Sequence, residues 1–173
     1  MEKKYFDRKE IKKFISSKLK NGTSKTDLLR QLDAEYYEKD LIIKILASTP
    51  RIELRKRYSI PNLLFGIIGI LLILFRIFSH GFSIVGGGLI LLSLILTIMI
   101  FNYEAYAYRL LAGVTLITTF QSISKFNGDN LLYVDLFLGV SVIALALFLG
   151  HKLFSNFGFL GPKKDNNGDV ILG

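Results

Sequence analysis

The chain has no cysteine and no tryptophan, and its only imidazoles are His80 and His151. Without cysteine there are no disulfides, thiolate nucleophiles or thiolate metal sites. The two histidines are predicted to lie on opposite faces of a membrane, so they cannot form a two-histidine site within one chain. Charge is also missing, but only locally. Residues 63–150 hold six charged side chains, whereas the first sixty residues hold twenty-five. A soluble domain has no use for 88 residues of nearly unbroken Leu, Ile, Phe, Val and Gly. A bilayer does, because apolar side chains cost nothing in lipid while each charge costs several kcal/mol. The first thirty residues lack an apolar core, which argues against a cleavable signal peptide and leaves the first span as the insertion signal.

The expected fold is therefore all-α, a polytopic membrane protein with four transmembrane helices and a small N-terminal helical head in the cytosol. The spans are predicted at about 60–78, 82–101, 106–123 and 131–150, inside a membrane domain of residues 59–151. Residues 1–58 form the head and 152–173 a cytosolic tail. Ser59-Ile60-Pro61 opens the first span, because proline loses nothing in the first turn of a helix. Ser79-His80-Gly81 reads as a tight turn, and residues 124–130 as a polar loop. Arg109 weakens the third span, and a three-span chain with a re-entrant third segment is the alternative. With both termini inside, twenty basic residues face the cytosol and two, Arg76 and Lys125, face outward. That asymmetry sets the orientation in a bacterial inner membrane.

Three sets of residues are candidates for function. Arg76, near the end of span one, and Asp135, near the start of span four, fall at similar depth in antiparallel helices, where an ion pair lowers the cost of both. Glu104 and Arg109 form a weaker couple at the inner boundary. Along span three, Tyr108, Ala112, Thr115, Thr119 and Ser122 share one helix face. Span two offers Gly86, Ser93 and Thr97, and span four Asp135, Gly139, Ala146 and Gly150. Small and hydroxyl residues on one face serve helix packing, or else line a water-accessible path within or between subunits. Arg55, Lys56 and Arg57 form a basic membrane-proximal patch at headgroup level.

The first sixty residues carry a net +7. They read as three short helices. Asp7 to Glu10 forms a capping box ahead of Ile11, Phe14, Ile15 and Leu19, and Asn21-Gly22 ends the first helix. Thr23 or Ser24 caps a second helix with Leu28, Leu29 and Leu32. A third, from about Tyr36 to Ala47, presents Tyr37, Leu41 and Ile45, with Ile42 and Leu46 on a broader face, before Ser48-Thr49-Pro50. The second helix resembles part of a helix-turn-helix, but the helix after it begins with Tyr36, Tyr37, Glu38 and Asp40. Acids there repel phosphate and argue against specific DNA reading, so a membrane-anchored helix-turn-helix regulator is the weaker alternative. In the tail, Phe154, Phe157, Phe159 and Leu160 suit the inner interface, and Asp165 to Asp169 read as a polar turn.

No Ser–His, paired-Asp or His–Glu–metal constellation occurs in the spans, so the chain reads as non-enzymatic and without cofactor or metal. Two functional classes remain. One is a membrane accessory or regulatory protein whose basic head engages a cytosolic protein, contacts RNA or self-associates. The other is a small oligomeric pore or channel, including a defence effector that permeabilises the membrane; a homo-oligomer is expected in either case. In size, span number and its Lys-, Ile-, Asn- and Phe-rich composition, the chain resembles the small four-pass membrane accessory proteins encoded beside the RNA-targeting effector of type VI-B CRISPR loci. That resemblance implies modulation of an antiviral effector from the membrane and assigns no residue a role.

Overall fold

The computed structural model describes residues 8–35, 39–80, 84–124, 130–158, 161–167 and 170–172. Among them the chain is helical, with no strand and only two isolated β-bridges. The helices are α1 (Arg8–Lys20), α2 (Lys25–Glu35), α3 (Lys39–Ser48), α4 (Ile52–Arg57), α5 (Ser59–His80), α6 (Ile84–Phe101), α7 (Ala105–Ser124) and α8 (Leu131–Leu153). They divide into two compact units, residues 1–56 with 153–173, and residues 57–152. Asp7 of the expected capping box, Tyr36 and Tyr37, Gly81, Lys125 to Asp129, Phe159 and Leu160, and Gly168 and Asp169 lie outside the described residues.

In the first unit, α1 to α3 meet through one apolar face each. Ile11 and Ile15, Leu28 and Leu32, and Ile42, Ile45 and Leu46 are buried, each worth about 1.5–3 kcal/mol of apolar burial. Leu41 is only half-buried, because the inward face of α3 centres on Ile42, Ile45 and Leu46. Gly22, at φ 84°, ends α1. Its N–H reaches Leu19 O and the Thr23 N–H reaches Lys18 O, the paired bonds of a Schellman motif. Ser24 caps α2: its Oγ accepts the Asp27 N–H at 3.1 Å and its hydroxyl donates to Asp27 Oδ2 at 2.6 Å. Thr49 folds back on Ile45 O at 2.7 Å and closes α3 before Pro50.

Two differences from the sequence reading stand out here. Three helices are expected before the first span, yet the stretch that ends in Arg55, Lys56 and Arg57 forms a fourth short helix, α4. The tail segment belongs to the same unit as α1 to α4, with Phe154 and Phe157 buried rather than laid on an interface. An Asx turn, Asn167 N–H to Asp165 Oδ1 at 2.9 Å, shapes the polar end.

The second unit holds the four long helices. Two of them, α5 and α8, are long and apolar enough to cross a membrane, and the apolar part of α6 is shorter. Helix α5 runs on through His80, so Ser79 and His80 belong to it rather than to a turn. A three-residue turn, Asn102 to Glu104, reverses the chain between α6 and α7. Tyr103 takes the left-handed conformation there (φ 56°), and the Glu104 N–H closes back on Met99 O at 3.1 Å. Gly66 lets the Phe101 ring lie against α5, since a Cβ at that position would overlap the ring.

Candidate functional site

The long helices bring together charges that lie far apart in sequence. Asp135, one turn into α8, has no exposed surface, and Arg76, in the last turns of α5, is 8 % exposed. Arg76 Nε donates to Asp135 Oδ1 at 2.7 Å and Nη2 to Oδ2 at 3.2 Å, a two-pronged pair. Nη2 also donates to Thr119 Oγ1 at 2.9 Å, and Nη1 to Thr118 Oγ1. Every prong of the guanidinium therefore meets an oxygen. Gly139 makes this approach feasible, for a Cβ there would sit 2.5 Å from Thr119 Oγ1 and 3.5 Å from Arg76 Nη2.

Beside the pair lies a cavity of about 120 Å³. Its polar wall is Ser93 on α6 and Thr115, Thr118, Gln121 and Ser122 on α7; Gly69, Leu72, Ile73 and Val142 are among the apolar lining. Three of these hydroxyls are already committed as donors. Ser93 bonds Leu89 O at 2.9 Å, Thr118 bonds Val114 O at 2.9 Å, and Ser122 bonds Thr118 O at 3.2 Å. A hydroxyl whose proton goes to its own helix turns acceptor lone pairs toward its surroundings. The wall thus offers oxygen to a donor such as Arg76, with no base poised beside a nucleophile.

Thr115, Thr119 and Ser122 are all buried within the unit. Glu104 is in the turn before α7 and Arg109 in its first turns, both half-buried. Arg55, Lys56 and Arg57 fall in the last turn of α4, with Arg55 half-buried and the other two exposed. The Arg57 guanidinium stands 5.8 Å from the Tyr58 ring centre. Among the described residues no cluster of His, Asp and Glu could hold a metal ion.

Three participants are absent from the sequence-derived set. Thr118 neighbours Thr119 and falls off the single-face stripe, yet the fork of Arg76 is wide enough to take both. Gln121 lines the same cavity. Asn62 forms a second polar knot: its Nδ2 donates to Ile100 O at 3.2 Å, and the Tyr108 hydroxyl donates to its Oδ1 at 2.5 Å. Phe65 stacks on Tyr108 with ring centres 5.9 Å apart. An isolated Asn three residues into an apolar run was the available signal, because a buried amide needs partners.

No protein-family model matches the chain, and no match was found among the curated proteins or the solved structures compared with it.

Proposed function

We propose that this chain is a four-pass integral membrane protein with both termini in the cytosol of a bacterial cell, acting without catalysis as an accessory or regulatory subunit for a cytosolic partner. The observation that carries the membrane part is the inversion of the second unit. Asn62, Arg76, Thr97, Thr115, Thr119 and Asp135 are buried, while Leu63, Leu94, Ile98, Phe120 (64 % exposed) and Phe137 (73 % exposed) point outward. Along their most apolar stretches α5 and α8 are only 39% and 22% buried, where the core helix of a soluble protein is mostly buried. Such a surface suits hydrocarbon and not water.

The accessory part is supported by what the polar groups do. The one carboxylate deep in the helices is tied to Arg76, and the basic first unit is the portion that offers charge to a partner. In the narrower form of this reading the partner is the RNA-targeting effector of a type VI-B CRISPR locus, supported by size, span number and composition. A pore between subunits needs the Thr115, Thr119 and Ser122 stripe on an open face, and that stripe is buried within one copy.

Two measurements test the reading. The full-length protein stays with membranes through alkaline carbonate extraction; release into the supernatant overturns the proposal. Detergent-solubilised protein retains a cytosolic protein or RNA that is lost when residues 1–57 are deleted. Ion flux through reconstituted vesicles, abolished by Thr115→Leu, would instead establish the pore.

A further inference from the structure

The first unit contains a cavity of about 300 Å³, at the small end of pockets that hold ligands, roughly 300–1,000 Å³. Lys25 and Arg51 are its two charged residues, and no carboxylate lines it. Lys25 is 8 % exposed, yet among the described residues it makes no hydrogen bond or ion pair. That is costly, because a lysine this largely buried loses hydration that no counter-charge replaces. Its position adds to the cost. Lys25 is the first residue of α2, where the helix dipole disfavours a cation and favours an anion. Burial, and then the Arg51 charge, lower its pKa from 10.5 to about 8.

The rest of the wall comes from Ala47, Leu54 and the chain from Leu153 to Asn156. Phe154 is a buried apolar side, and Ser155 donates to Asn156 Oδ1 at 3.4 Å, which leaves the Asn156 amide hydrogens for another acceptor. Two cations, an amide donor and an uncharged rim together complement a compact group of charge near −2 with several acceptor oxygens. We propose that this cavity binds a phosphoryl group, held by Lys25 and Arg51 and oriented by Asn156. The group can come from a lipid headgroup or from a soluble phosphate. The site lies wholly within the first unit, so it goes beyond the membrane reading and stands independently of the number of spans.

The test uses the full-length protein in an uncharged detergent, with inorganic phosphate titrated against chloride at equal ionic strength and binding read as the rise in melting temperature. A second arm places the protein in nanodiscs of phosphatidylcholine with or without phosphatidic acid. Lys25→Met abolishes the response or weakens affinity at least tenfold, Lys25→Arg keeps it within about threefold, and Lys164→Met, which removes one exposed charge from the tail, leaves it unchanged. Circular dichroism confirms that each variant stays helical. Response to phosphate in detergent identifies a soluble source; response only to phosphatidic acid identifies the lipid. Absence of both responses, or equal responses in the wild type and Lys25→Met, overturns the proposal, as does an equal loss in Lys164→Met.

Discussion

Asp135 is enclosed on all sides, and both its oxygens face one guanidinium. Removing one partner leaves the other buried without compensation, which costs about 3–5 kcal/mol. Arg76→Met alone is therefore expected to lower stability by about that amount. Arg76→Met with Asp135→Leu should recover most of it, and thermal melts in detergent compare the two. Equal loss in both would show that the carboxylate left without Arg76 carries no such penalty. Lys25 behaves oppositely to a salt-bridged lysine. Its folded pKa, about 8, lies below the ordinary 10.5, so the folded chain gives up this proton first and the unfolded chain binds more protons between those values. Stability then rises with pH across that window, and the full penalty is present below pH 8. Arg51 is the only other charge in the cavity and acts in the same direction. Lys25→Met should stabilise the protein at pH 7, in chloride without phosphate, by on the order of 2 kcal/mol. That gain should shrink toward pH 10; a gain that is absent at pH 7 contradicts the burial penalty.

At the scale of elements, the register of α8 on α7 depends on glycine. Gly139→Ala drives a methyl into Thr119 Oγ1 and breaks the Thr119 bond to Arg76, an overpacking expected to cost about 1–3 kcal/mol. Thr119→Ala in the same chain should relieve the clash, so the two changes are not additive. Gly88→Ala and Gly113→Ala meet no atom within 4 Å and should be neutral or stabilising by up to about 1 kcal/mol. Much of this layer was legible in the sequence. The ends of α5 to α8 fall within a few residues of the expected boundaries, because Pro61, Asn102 to Glu104 and Asn130 interrupt long apolar runs. The meeting of Arg76 with Asp135 followed from counting depth in antiparallel helices. Helix α4 was not legible, since Ile52 and Leu54 stand two residues apart and show no helical period. Nor was the tail's place in the first unit, or the burial of Lys25, because both depend on tertiary contacts and a lysine near a helix start reads as solvated.

For the whole molecule, the decisive question is how many of the long helices cross the bilayer. Helices α5 and α8 satisfy length and hydropathy on their own. Helix α7 is less apolar chiefly because it carries Arg109, half-buried, and Gln121, exposed near its end; Thr115, Thr119 and Ser122 are buried, while Leu116, Ile117 and Phe120 face out. The three buried hydroxyls lower its mean hydropathy without reaching the outer face, whereas Arg109 and Gln121 lie near its two ends. Helix α6, at 18 residues, reaches about 27 Å at 1.5 Å per residue, close to the roughly 30 Å of hydrocarbon. Because the chain has no cysteine, any introduced cysteine is the sole thiol and reports location directly. With four spans, Ser124→Cys and Asn130→Cys react with a membrane-impermeant maleimide on spheroplasts, whereas Asn102→Cys and Ser155→Cys react only after lysis. If only α5 and α8 crossed, Asn102 would lie outside and react at once while Ser155 stayed protected. Labelling at Asn102 in sealed spheroplasts therefore separates a four-pass chain from a two-pass one, and labelling at Ser155 would reverse the orientation that the twenty-to-two basic asymmetry implies.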